Sequence, residues 1–173
     1  MSSNNNSTVL SEVLTPNHWK NICDRVEPIA LKHIFPYIKS KRVRSSSLSE
    51  VFEIQSAEYF NSIGISTKPC GNDKEPDLFF NETEEFCEIK VTSSNKREWM
   101  GGKHSKKSSE FILIKWNYQE EKTTIFGIEP ESLKFSVINT FLDKDDWNIL
   151  GDNFSGTKIT SKMLKNKKVE ILV

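Results

Sequence analysis

The chain has 173 residues, a length typical of a single folded domain. It carries 24 lysines and arginines against 24 aspartates and glutamates, and this formal net charge of zero excludes a uniformly basic coat of the histone or ribosomal kind. Hydrophobic residues make up 36% of the chain and aromatic residues 10%, which favours a folded globule over a disordered chain.

The ends and the cysteines favour a cytoplasmic protein without a membrane segment. The first eight residues are polar and lack the apolar core of a signal peptide, and no apolar run approaches the roughly 18 residues that a membrane span needs. The odd set of Cys23, Cys70 and Cys87 contains no CxxC pair, which argues against a disulfide framework or a cysteine metal site. A reducing cytoplasm therefore fits best.

The first part of the chain has the spacing of helices. We expect a disordered tail at residues 1–8, followed by one domain over residues 9–173. Apolar side chains recur at three- and four-residue intervals, with interruptions at prolines. This pattern predicts broken helices at residues 9–38, a basic, serine-rich linker at residues 39–47, and a helix at residues 49–63 that ends at Gly64.

The second part changes to the two-residue period of strands. We predict strands at residues 77–80, 86–91, 111–116, 123–128 and 169–173, and a short helix at residues 129–141. This order predicts an α/β (α+β) domain in which helices flank a central mixed sheet. Its expected parts are the N-terminal helices and linker (residues 9–48), a core (residues 49–128) and a C-terminal extension (residues 129–173).

One group of charged residues in the predicted hairpin indicates chemistry. Glu88 and Lys90 lie two residues apart on one strand, so they share a face, and Asp77 opens the neighbouring strand. Two carboxylates and an ammonium group at a strand end suit a hard cation, magnesium above all, and phosphodiester hydrolysis. The alternative is an exposed cross-strand ion pair. The similar triplet Glu120-Glu121-Lys122 lies in a predicted polar turn and is interpreted as solvated.

With Pro76-Asp77 followed by Glu88-Ile89-Lys90, the chain resembles the PD-(D/E)XK nuclease superfamily over about residues 49–128. The resemblance implies a restriction-endonuclease-like fold, magnesium dependence and DNA cleavage. It further implies Asp77, Glu88 and Ile89 as metal ligands and Lys90 as the catalytic lysine. Many members add a glutamate from the preceding helix, for which Glu53 is our choice. Glu50, almost one turn earlier, is the alternative.

The size and the segment of residues 126–133 are similar to those of small type II restriction endonucleases, where such a segment joins a strand to a helix. That resemblance implies double-stranded DNA as substrate, a homodimer, and a cognate DNA methyltransferase as genetic partner. Two alternatives stay open. One is a structure-selective or repair nuclease of the Holliday-junction resolvase kind, and the other is a non-catalytic DNA-binding or protein-binding domain.

The polar stretch after Lys90 is interpreted as facing DNA, because it carries six basic residues and a single acid between residues 89 and 109. Its candidate DNA contacts are Ser94, Asn95, Lys96, Arg97, Lys103, His104 and Lys106. Trp99 is a further candidate ligand platform. Basic runs at residues 32–44, 89–109 and 158–168 together hold 16 of the 24 positive charges. The zero net charge therefore hides strongly segregated charges.

Overall fold

A computed structural model describes residues 8–69, 76–101, 108–143, 146 and 157–173. The helices are α1 (Val9–Val13), α2 (Pro16–Ile29), which continues as a π-helix (Ala30–Ile34), α3 (Lys41–Ser62) and α4 (Ser161–Leu164). The strands are β1 (Thr67–Pro69), β2 (Leu78–Phe80), β3 (Glu85–Thr92), β4 (Trp99–Gly101), β5 (Ser109–Thr124), β6 (Gly127–Leu142), β7 (Thr157–Ile159) and β8 (Val169–Ile171). The expected tail at residues 1–8 lies outside the described residues, apart from Thr8.

The N-terminal helices follow the sequence pattern with one correction. Pro16 occupies the first turn of α2, where a missing N–H costs nothing, and the apolar stripe of this helix is buried. Pro28 was expected to break the helix, yet α2 runs through it to Ile29 and widens into the π-helix that follows. This wider turn directly after the proline is where the chain departs from regular α-helical pairing.

Helix α3 begins at Lys41, so the prediction of a basic linker at residues 39–47 was wrong. Ser40 caps the helix, and its side chain accepts a hydrogen bond from the N–H of Val43 at 3.5 Å. At the other end the prediction is confirmed, because Gly64 follows the helix with a φ of 89°, a conformation that favours glycine. The helix therefore has 22 residues, seven more than the predicted helix at residues 49–63.

The reason for the early start is Arg44, which is only 2% exposed. Its guanidinium packs over the ring of Phe35 at 4.3 Å. Its nitrogens donate hydrogen bonds to four oxygens, those of the Ile38 and Phe35 carbonyls, the Tyr118 hydroxyl and the Glu129 carboxylate. A buried charge with all these partners fixes the first turns of α3 against the sheet. One of the 16 positive charges in the three basic runs is thus structural.

The main sheet has six strands in the order β1-β2-β3-β5-β6-β8, and it is mixed because β3 and β5 run parallel. The remaining neighbours are antiparallel. The predicted hairpin is confirmed as β2 and β3 with a turn at residues 81–84. Parallel strands are usually joined by a helix. In the described residues, the connection from β3 to β5 instead contains β4, which pairs with β7 in a second, two-stranded sheet.

The long hairpin of β5 and β6 corrects three predictions. Residues 111–116 and 120–122 belong to one strand, and residues 123–128 span its tight turn. The helix predicted at residues 129–141, with its strand-to-helix junction, is a strand whose Leu133, Phe135 and Val137 are buried in alternation. Pro130 lies at an irregularity of the ladder, where a strand tolerates a residue without an N–H.

The two faces of the main sheet are covered differently. Helices α2 and α3 bury one face, which includes Cys87, Ile89 and Ile112. The second face carries a smaller apolar cluster, in which Trp99, Ile159 and Met163 pack on sheet residues. These findings confirm an α+β class with a central mixed sheet and helices. Within the part of the chain that the structure describes, no helix combines the length and apolar character required to cross a bilayer.

Candidate active site

Strand β3 separates its side chains between the core and the candidate site. Cys87 and Ile89 point into the helix-covered core and are fully buried. Glu88 and Lys90 are paired in register with Phe111 and Leu113 of β5, so they lie on the opposite face. The burial of Cys87 and Ile89 and the pairing of β3 with β5 fix the backbone positions of the two charged residues.

Asp77 lies next to the part of β3 that has no pairing partner in β2. The register of β2 with β3 ends where Leu78 pairs with Cys87, so β2 offers no partner to the next residues of β3. The Asp77 carboxylate takes that place and accepts a hydrogen bond from the N–H of Ile89 at 2.7 Å. In an extended strand the N–H and C=O of one residue point to the same side, so the Ile89 carbonyl also faces this edge.

Lys90 lies between the two carboxylates. Its Nζ is 3.8 Å from Asp77 Oδ2 and 3.6 Å from Glu88 Oε2. The side chains of Lys90 and Asp77 are 17% and 18% exposed, and that of Glu88 is 8% exposed. The structure thus brings together the three residues that the sequence singled out. Their ion pairs are partly withdrawn from solvent, unlike the exposed cross-strand pair considered as the alternative.

Glu53 of α3 belongs to the same cluster. Burial, and next the nearby negative charge of Asp77, raise its pKa to about 8, while Lys90 acts in the opposite direction. Glu50 and Glu88 add smaller contributions that also raise this pKa. Glu53 is partly buried and Glu50 is exposed. Of the two candidate helix glutamates, Glu53 is the one held in the environment of Asp77 and Lys90.

The donor set suits a hard divalent cation. Asp77, Glu88 and Glu53 offer carboxylate oxygens, and Ile89 can offer only its carbonyl oxygen, which are the ligand types that magnesium prefers. Burial is the main cause of the raised pKa of Glu53, and the negative charge of Asp77 is the second, so a bound cation would offset the second cause. Among the described residues, no three His, Cys, Asp or Glu side chains converge into a ready-made metal site. Magnesium needs no such cage, because it commonly keeps waters and takes only one or two carboxylates.

The candidate DNA-contacting residues are described only in part. Ser94, Asn95, Lys96 and Arg97 form a turn directly after β3, and all except Ser94 are exposed. Lys103, His104 and Lys106 lie outside the described residues. The interpretation of Trp99 as a ligand platform was wrong. This side chain is 2% exposed and its Nε1 donates to the carbonyl of Ile114 at 3.0 Å, so it is a core residue.

Other reactive side chains are structural. Burial raises the pKa of Cys23 to about 12 and that of Cys87 well above its usual range, so both thiols stay protonated. His18 shares a hydrogen bond with the Tyr59 hydroxyl at 2.8 Å, as expected for a satisfied structural histidine.

Two cavities lie elsewhere on the described surface. One of about 480 Å³ lies between α2 and β6, and it contains no residue of the cluster. A smaller, polar cavity of about 330 Å³ is lined by Lys41, Ser93, Asn95 and residues of β5. Sequence reasoning missed this second cavity, because only the fold brings the start of α3 to the end of β3.

The carboxylate–lysine cluster therefore defines the candidate active site by geometry. Comparison of the chain with models of known protein families, with curated proteins and with solved structures finds no match.

Proposed function

We propose that the protein is a magnesium-dependent endonuclease that hydrolyses phosphodiester bonds of double-stranded DNA, with a restriction-endonuclease-like fold. The observation that carries the proposal is the placement of Lys90 Nζ within 4 Å of both Asp77 and Glu88, at 3.8 and 3.6 Å. Two carboxylates and a lysine at one strand edge are what phosphodiester hydrolysis asks of a protein, because that reaction depends mainly on positioning and charge.

Each residue has a stated part in this chemistry. Asp77 and Glu88, with the Ile89 carbonyl, would hold the magnesium ion, and Glu53 would contribute once it has lost its proton. The cation supplies positive charge against the scissile phosphate and the leaving oxygen. Lys90 donates hydrogen bonds from Nζ, and so orients the attacking water and stabilises charge that develops on the phosphoryl oxygens.

The hydrolysis itself needs no other reactant. The water oxygen forms a bond to phosphorus, the bond from phosphorus to one bridging sugar oxygen breaks, and the water proton ends on the leaving oxygen. The products are a phosphate monoester and a hydroxyl group. The reaction is redox-neutral.

The finer assignment is a type II restriction endonuclease. It includes a homodimer, because cutting both strands at a symmetric site calls for two-fold symmetry. It also includes a cytoplasmic location and a cognate DNA methyltransferase encoded beside the nuclease. The supporting features are the size of the chain and the basic turn at residues 94–97, which follows the strand that carries Glu88 and Lys90.

The test is incubation of the protein with magnesium and a long duplex of mixed sequence, in parallel with branched DNA, and repetition with Glu88→Gln. Discrete duplex fragments that vanish in the variant are the expected result. Cutting of branched DNA alone would instead indicate a junction-resolving enzyme. The absence of magnesium-dependent cutting of either substrate would refute catalysis and leave a DNA-binding or protein-binding domain.

A further inference from the structure

The fold joins two basic segments that are about sixty residues apart in sequence. Strand β4 pairs with β7, with Trp99 opposite Ile159 and Met100 opposite Lys158. Beside this pairing, the Ser161 hydroxyl donates a hydrogen bond to the Lys96 carbonyl at 3.3 Å. The turn that follows β3 and the segment from β7 to α4 therefore form one continuous surface.

This surface is anchored on the sheet face that carries the candidate active site. Trp99, Ile159 and Met163 are buried in the second apolar cluster, where they pack with Phe111 and Leu113 of β5. The register of β3 with β5 places Glu88 beside Phe111 and Lys90 beside Leu113 on that same face. In addition, β4 lies against β3 itself. The surface thus borders the strand that carries the catalytic residues.

The exposed side chains of the surface are strongly cationic. We call it the basic ledge and define it by five exposed residues, Lys96, Arg97, Lys158, Lys162 and Lys165. Residues 94–101 and 157–165 contain a single acid, Glu98, which pairs with Lys158 at 3.5 Å. The other four ledge residues form no ion pair with any residue that the structure describes, so their charges are available to a partner.

The backbone also presents one of these cations in a costly conformation. Arg97 has a φ of 54°, in the left-handed region that non-glycine residues rarely adopt. The turn that holds it is closed by a hydrogen bond from the Arg97 N–H to the Ser94 carbonyl at 3.3 Å. This turn therefore fixes the backbone at Arg97, whose side chain is exposed.

We propose that the basic ledge binds the sugar-phosphate backbone of duplex DNA and positions it beside the carboxylate–lysine cluster. This inference rests on the proposed function for its choice of partner, and it extends the DNA-binding surface to the C-terminal segment. Lysine and arginine side chains that project from rigid elements hold phosphates without reading sequence. Among the described residues of these two segments, Met100 is the only large apolar side chain that is exposed, so the ledge lacks the apolar centre that a protein partner needs.

The test compares Lys162→Ala/Lys165→Ala with a matched control, Lys122→Ala/Lys134→Ala, in the full chain. The control lysines are also exposed, and they lie on the β5–β6 hairpin away from the ledge. Affinity for a duplex of about 30 base pairs is measured by fluorescence anisotropy in EDTA, which prevents cutting. Each lost phosphate contact lowers affinity about eightfold near 0.1 M salt, and the two together reduce the salt slope by about 1.8.

Ledge and control variants that bind the duplex equally would overturn the proposal. It would also be overturned if the ledge variant kept its duplex affinity but lost binding to vesicles of anionic lipid. The outcomes separate this inference from the nuclease assignment. A ledge-dependent loss of binding in a protein that never cuts DNA supports the ledge and refutes the nuclease. Magnesium-dependent cutting by a protein whose ledge variant binds DNA as tightly as the control would support the nuclease and refute the ledge. Equal thermal melting of both variants confirms that the fold is intact.

Discussion

Replacement of Glu53 by glutamine is expected to stabilise the metal-free protein at alkaline pH. The folded protein holds the Glu53 pKa near 8, against an ordinary value of 4.5. Between those two pH values the unfolded chain has released the proton and the folded protein keeps it, so stability falls as the pH rises through that window. Glutamine has nearly the shape of the protonated glutamate and does not ionise, so the variant does not lose stability as the pH rises. Variant and wild type should therefore differ most above about pH 8 and converge near pH 4.

The gain in stability that Glu53→Gln should bring follows from the shift of the Glu53 pKa. Each tenfold change in proton affinity corresponds to about 1.4 kcal/mol. Because Glu53 is partly exposed, solvent screening reduces the total to about 1–2 kcal/mol. Urea unfolding in EDTA at about pH 5 and pH 8.5 measures it, with the exposed Glu50→Gln as control, for which a change below about 0.5 kcal/mol is expected. A Glu53→Gln variant that gains nothing at the higher pH would show that the Glu53 carboxyl does not lie in a buried environment next to Asp77.

Two further substitutions test how α3 is held. Arg44→Ala should lower the free energy of unfolding by about 3 kcal/mol, because it leaves the buried Phe35 carbonyl and the Ile38 carbonyl without their donor. The exposed neighbour Arg42→Ala should change it by less than about 0.5 kcal/mol. Equal effects of these two in urea unfolding would contradict the anchoring role. Gly64→Ala should cost about 1–2 kcal/mol through its positive φ alone, since no atom lies within 4 Å of the added methyl group, and unchanged thermal stability would contradict this.

The sequence predicted the candidate site better than the fold around it. The alternation from Cys87 to Lys90 and the preceding Asp77 predicted both the hairpin and the convergence of charges, since these depend on neighbouring residues. The sequence also favoured Glu53 over Glu50 among the helix glutamates. The hydrogen bond between Asp77 and Ile89 was not foreseeable, because it depends on where β2 stops pairing with β3.

The errors arose where distant contacts override local preference. The composition of a basic, serine-rich stretch predicts a linker. Its contacts with Phe35 and Tyr118 bury Arg44 and make the stretch part of helix α3. The sequence around Pro130 resembles a helix start, but pairing with β5 along both sides of a ladder irregularity makes it part of the 16-residue strand β6. The pairing of β4 with β7 leaves no local signal, because each strand has only three residues and the partner lies far along the chain.

Magnesium-dependent nicking of supercoiled plasmid DNA by Glu88→Gln and Glu120→Gln tests the central claim most directly. Glu120 is a matched control, since it opens the same Glu-x-Lys triplet but lies exposed on the β5–β6 hairpin. We expect wild type and Glu120→Gln to convert the plasmid at equal rates with magnesium and not at all in EDTA. Glu88→Gln should be slower by about 100-fold or more. Equal rates for Glu88→Gln and wild type, or no magnesium-dependent conversion by wild type, would contradict the account.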